Sequence, residues 1–356
     1  MRRLGAVILA SVSLSAPMAA QSGGNGTIYY GTYSKKILVI DEAGMNVTDS
    51  MPVSVGIPYG LWMSMDRKRI YAMEPSREQV EIFDVATRKA VGRFSLSTPT
   101  TQVRLWGFNV DPQDRFAVVL VKTYEKKDDR FVIGKPTLLK YDLQRKVVTD
   151  TIPWPNGQER ESAQILFSPK GDLFYFFTNE DVLIFDTTTL KQVDRWELGR
   201  SLDEGMGRFN FGFPESFYEE DGFFTGLFRS TDPVNNRNLM GVARVDLVNR
   251  KVDFYTLGPS EPVSFALAPG RGRGFGLRQQ PGNYQFWTFD LQGRRVEQRT
   301  EFEGRPRMGL TVSTNGSQLY VSVAGNTIDV YDAATKRLVR TATFNADMTD
   351  LLVVPR

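Results

Sequence analysis

Apolar and polar positions along this chain fall into short runs that each close on an aspartate and a polar turn. The run Phe83-Asp84-Val85-Ala86-Thr87-Arg88-Lys89 recurs as Phe185-Asp186-Thr187-Thr188-Thr189-Leu190-Lys191 and as Tyr331-Asp332-Ala333-Ala334-Thr335-Lys336-Arg337. Weaker copies stand at Asp41, Asp142, Asp246 and Asp290. The seven aspartates are spaced by 43, 58, 44, 60, 44 and 42 residues. The residues before each aspartate mix β-branched and aromatic types, as in Val80-Glu81-Ile82-Phe83, Val182-Leu183-Ile184-Phe185 and Ile328-Asp329-Val330-Tyr331. That composition over so few positions predicts a strand, and a carboxylate at its end can cap the turn that follows. All seven aspartates are therefore read as structural.

A period in the forties with four strands per unit predicts an all-β fold, a seven-bladed β-propeller of four-stranded antiparallel blades. In the second blade the expected strands are Leu61–Met65, Arg69–Met73, Val80–Asp84 and Ala90–Ser95. The first unit supplies three, Thr27–Thr32, Lys36–Ile40 and Met45–Val53. The segment Met348–Pro355 is expected to provide its missing innermost strand, pairing the C-terminal strand into the N-terminal blade and closing the ring. Residues 21–356 thus read as one propeller domain.

The two long steps place insertions between the second and third strands of their blades, at Lys122–Pro136 and about Arg229–Asn238. In a propeller these connections emerge on the face where the chain enters each innermost strand. Long loops there are more often functional than decorative. The entry segments and insertions carry arginines and aromatics suited to a protein surface or an anionic ligand. The candidate binding residues are Tyr59, Arg104, Trp106, Arg160, Arg208, Phe209, Arg305 and Arg307 at the mouth, with Phe131 and Arg229 on the inserted loops. Gly270-Arg271-Gly272-Arg273-Gly274-Phe275-Gly276 resembles a phosphate loop but occupies a hairpin-turn position with no helix behind it, so a turn is expected.

Composition then narrows the chemistry. Cysteine and histidine are both absent. This removes disulfides, thiolate zinc sites, covalent haem attachment and every catalytic scheme that needs His or Cys. No catalytic residue and no metal ligand is assigned. A hydrolytic reading, like that of a lactonase with an oxygen-ligated metal, would draw on Glu161, Asp203, Glu204 and Asn210. The five tryptophans, Trp62, Trp106, Trp154, Trp196 and Trp287, hold unrelated blade positions, unlike propellers with one tryptophan motif per blade.

Residues 1–20 carry Arg2-Arg3 ahead of the apolar Leu4–Leu14 and small residues up to Ala20, which reads as a secretory signal peptide too short to span a bilayer. Its removal shifts Lys plus Arg from 44 to 42 against 41 Asp plus Glu, a near-neutral balance with no basic cluster to suggest nucleic acid. A periplasmic or secreted protein with no remaining membrane span is expected.

At the level of the repeat, Leu319-Tyr320-Val321-Ser322-Val323 followed by Ile328-Asp329-Val330-Tyr331-Asp332 resembles YVTN-type propellers. Over nearly the whole mature chain, at low identity, the sequence is similar to the β subunit of quinohemoprotein amine dehydrogenase, a fold relative of the methylamine dehydrogenase heavy chain. The anchors are Asp129-Arg130-Phe131-Val132-Ile133-Gly134-Lys135-Pro136-Thr137-Leu138, the insertion Ser230-Thr231-Asp232-Pro233 up to Val245-Asp246, and the closing Asp347–Arg356. Members of that family contain cysteines, and this chain has none. The resemblance implies a periplasmic scaffold with no cofactor of its own. A small quinone-bearing subunit and a dihaem subunit would be its partners. The alternatives are a stand-alone propeller that binds a surface polymer or another exported protein, or the hydrolase above.

Overall fold

The computed structural model describes residues 23–198, 206–212 and 217–356. The signal peptide expected over residues 1–20 lies outside them. Among the described residues the strands form seven sheets, each built on four antiparallel strands. The second blade comprises Gly60–Met63, Arg69–Met73, Gln79–Asp84 and Lys89–Ser95. The first comprises Thr27–Thr32, Lys36–Asp41 and Asn46–Pro52, completed on the inside by Met348–Val354. Thr27 lies opposite Val354 and Gly31 opposite Asp350, so chain start and chain end share one sheet as expected.

Each repeated aspartate does the same local work. Its carboxylate accepts the N–H two or three residues on: Thr87 to Asp84 at 2.7 Å, Thr189 to Asp186 at 2.6 Å, Thr335 to Asp332 at 2.7 Å. Asp41, Asp142, Asp246 and Asp290 take Gly44, Arg145, Asn249 and Gly293 in the same way. The fourth residue after each, Met45, Arg88, Lys146, Leu190, Arg250, Arg294 or Lys336, turns left-handed at φ between 52° and 59°. A non-glycine residue is rarely held there, and the capped turn holds it seven times.

Hydrophobic burial lies between blades. Phe83, Ile70 and Leu61 of the second blade meet Tyr29, Val39 and Leu352 of the first. Tyr71 and Val80 meet Val119 and Tyr141 of the third blade. Ile28, Tyr30 and Ile40 meet Tyr320 and Val330 of the seventh, so the same layer runs across the seam. Glu42 fastens that seam. Fully buried, it accepts hydrogen bonds from Gly26 N at 2.7 Å, Thr314 N at 2.7 Å and Tyr320 Oη at 3.0 Å, with the Thr314 hydroxyl as a fourth donor. A Cβ on Gly26 would stand 2.5 Å from both the Thr314 side chain and the Val354 carbonyl, so the chain passes this point only as glycine.

The two insertions are not loops. Phe116–Lys126 runs on as one strand paired with Thr101–Val110, and Phe131–Ile133 folds back on it with Phe131 opposite Lys126 and Ile133 opposite Tyr124. In the fifth blade Phe223–Asp232 and Arg237–Asp246 keep register to the turn, where Asp232 faces Arg237. Asp232 accepts Asn235 Nδ2 and Arg237 Nε, each at 2.8 Å, and these bonds hold its carboxyl down at about 2. Both insertions therefore stand off the mouth as ribbons. The Gly270–Gly276 run is a hairpin turn, with Gly270 at φ 79° and Arg271 N bonded to Ala268 O, as read from sequence.

Two consequences are measurable. Glu42→Ala strands four donors at once and should cost roughly 3 kcal/mol or more, read as a lower urea midpoint, while Glu42→Gln should cost less. Asp350 in the closing strand accepts Leu61 N and Leu351 N, yet desolvation lifts its carboxyl to about 6 from 3.8. The folded state then holds the extra proton between those values. The stability this gives is full below pH 3.8 and lost as pH rises through 6. Asp350→Asn should flatten the decline, although its one amide oxygen can answer only one of the two N–H donors; an unchanged pH profile would contradict this.

Candidate functional site

The innermost strands of the fourth, fifth and sixth blades are short: Gln164–Phe167, Phe209–Phe211 and Ala266–Leu267. Two cavities open beside them and share Asn210 and Phe211 in their linings. One, of about 220 Å³, is lined by Ser162, Ala163, Gln164, Phe177, Thr178 and Asn179. The other, of about 360 Å³, is lined by Gly212, Leu227, Arg229, Val263, Ser264 and Phe265. Strand register explains the lining. Asn210 lies opposite Arg229, so carboxamide and guanidinium share one face of the blade. Phe209, one residue away, points to the other face and stacks on Phe228 at 4.3 Å, fully buried.

The mouth arginines divide by partner. Arg160 is committed to structure: its Nε and Nη2 meet Asp181 at 3.0 and 2.6 Å, and both side chains are buried. Burial works to raise the Asp181 carboxyl, but the bonds from Arg160 and Thr178 outweigh it and hold the group below its usual range. Arg305 is exposed and pairs with Asp329 at 2.9 Å. Arg307, at φ 61°, makes no ion pair among the described residues. Arg208 and Arg229 make none either. Arg208 Nη2 donates to Asn179 O at 2.7 Å and Arg229 Nη2 to Glu261 O at 3.4 Å. Tyr59 is 54% exposed, held only through its backbone N–H to Met73 O.

Trp106 sits where the innermost strand of the third blade slips register between Leu105 and Gly107. Such a bulge re-aims a side chain. Its ring lies 5.4 Å from the Arg77 guanidinium and 5.2 Å from the Lys122 ammonium, and Arg104 lies 4.7 Å over Tyr124. Lys122 also pairs with Glu161. Sequence reading missed Arg77, Lys122 and Tyr124. Arg77 stands in a short turn between second and third strands, and attention to long insertions alone passes over it.

On the third-blade ribbon Phe131, Val132 and Ile133 are 56, 41 and 64% exposed, three consecutive apolar residues on a strand hydrogen-bonded along one edge only. Of the residues a metal-dependent hydrolysis would draw on, Asn210 lines both cavities and Glu161 is bound to Lys122, while Asp203 and Glu204 lie outside the described residues. Among the described residues no three carboxylates come together to hold a cation, and no helix is long and apolar enough to cross a membrane.

Seven antiparallel blades closed by the terminal strand define this protein as a seven-bladed β-propeller. No family model and no curated protein matches the sequence. Solved structures match in fold. Kuenenia stuttgartiensis hydrazine synthase aligns with a TM-score of 0.51 at 10% identity, over 95% of this chain and 100% of that one. The dihydro-haem d1 dehydrogenase NirN in complex with DHE aligns with a TM-score of 0.50 at 14% identity, over 95% and 77%. A functionally unknown protein from Desulfotomaculum acetoxidans aligns with a TM-score of 0.55 at 12% identity, over 93% and 99%.

The division among the arginines predicts unequal costs. Arg160→Ala leaves a buried carboxylate with Arg195 and the Thr178 hydroxyl, each at 2.9 Å, to answer it, and should destabilise by about 2–4 kcal/mol. Arg305→Ala removes an exposed pair and should stay within about 0.5 kcal/mol of the parent. Chemical unfolding of the two variants side by side checks the ranking.

Proposed function

We propose that this propeller is an exported, non-catalytic subunit that docks partner chains on its mouth face, in the manner of the β subunit of quinohemoprotein amine dehydrogenase. Quinone and haem then belong to a small subunit and a dihaem subunit, and amine oxidation takes place on those chains. The observation that carries this reading is the exposed Phe131-Val132-Ile133 edge. Three apolar side chains at the end of a ribbon add nothing to the propeller core, and an unpaired strand edge is a ready template for another chain. The ribbon is also where the sequence resembles that family, through Phe131-Val132-Ile133-Gly134-Lys135-Pro136. The candidate arginines that make no ion pair among the described residues, Arg104, Arg208, Arg229 and Arg307, supply charge on the mouth side.

The test is to purify the tagged mature protein from the envelope of its own host, identify what accompanies it and record a haem spectrum. A dihaem chain and a small quinone-bearing chain in fixed ratio is the expected outcome. Removing Lys126–Ile133 should abolish that association while the unfolding midpoint changes little, because this hairpin makes no core contact. A colourless protein arriving alone would overturn the reading in favour of a solitary binding propeller. Chelator-sensitive lactone hydrolysis would bring forward a hydrolase drawing on Glu161 and Asn210.

A further inference from the structure

We infer that the paired cavities beside Asn210 and Phe211 form a binding site for a small organic carboxylate with an apolar body. The walls differ in kind. Leu227, Val263, Phe265 and Phe211 form an apolar side, while Gln164, Asn179 and Asn210 present carboxamides. Among the described residues the lining includes one cation, Arg229, and no carboxylate. The nearest acid in sequence to the contact of Arg229, Glu261, turns its carboxylate to Arg278 at 2.9 Å and offers Arg229 only its carbonyl, at 3.4 Å.

Position as well as charge favours an anion. Asn210 stands directly opposite Arg229, so the guanidinium and an amide N–H₂ flank the same point of the wall. Arg208, two residues before Asn210, donates to Asn179 O at 2.7 Å, makes no ion pair among the described residues and adds positive potential. A planar guanidinium with free donors suits the two oxygens of a carboxylate. The space of about 220 and 360 Å³ limits the guest to a small molecule, since ligand sites run to roughly 300–1,000 Å³. The site lies on blades four to six and the docking ribbon on blade three, so this binding stands whether or not a partner docks.

The test uses the full mature chain and three probes at matched ionic strength, followed by ligand-observed NMR and calorimetry. Benzoate carries the charge and the apolar body, benzamide the body without charge, and inorganic phosphate the charge without the body. Benzoate should bind saturably, with benzamide and phosphate each at least tenfold weaker. Arg229→Gln, an exposed strand position that should leave the fold intact, should weaken benzoate at least fivefold and abolish its preference over benzamide. Arg208→Gln should weaken benzoate about twofold. No saturable benzoate binding, equal binding of benzamide, tighter binding of phosphate, or an Arg229→Gln protein that binds like the parent would each overturn the assignment.

Discussion

Everything in this molecule depends on closing the ring. Each blade is a sheet with two apolar faces, and each face is covered only by the neighbouring blade. A propeller left open would expose two such faces and two strand edges. The pairing of Met348–Val354 with Thr27–Thr32 removes the edges, and the buried Glu42 carboxylate joins the turn after Asp41 to Thr314 and Tyr320 across the seam. A carboxylate so enclosed is tolerated because donors surround it. The fixed positions of the innermost strands, and of the cavities between them, follow from that closure.

With the ring closed, its two faces serve different ends. The turns after the third strands are standardised: a capping aspartate and a left-handed fourth residue, repeated seven times. The mouth face is where the chain departs from its own repeat, through two ribbons, a bulge at Trp106 and an unusually short inner strand at Phe209–Phe211. Its charges are also sorted by depth. Arg160 is taken into the wall by Asp181, while Arg208 and Arg229 each give one donor to a carbonyl and make no ion pair among the described residues.

Sequence alone reached the architecture, because the aspartate turn is a local motif and a local motif survives translation into structure. The positions of both insertions were legible from step length. Their conformation was missed: Lys122–Lys126 continues the strand before it, but its charged residues disguise a two-residue alternation as a loop. Among the candidate residues, Phe209 and Arg160 are buried, which the sequence left open. Which face of a strand points inward depends on register with a partner distant in sequence, and Arg160 is buried only because Asp181 folds back on it. The cavities were illegible for the same reason, since Leu227, Val263 and Gln164 meet only once three blades are assembled.

The shared first sheet also imposes an order in time. Thr27–Thr32 is made six blades ahead of its partner, Met348–Val354, and waits for it. Until that last strand is available, the first blade presents a bare inner edge, and the hydrophobic residues Tyr29 and Ile28 lack part of their cover. Contacts of such separation form late and slowly. A growing chain therefore carries an open edge while the intervening blades are made, and its vulnerability to mispairing there ends when Met348–Val354 docks.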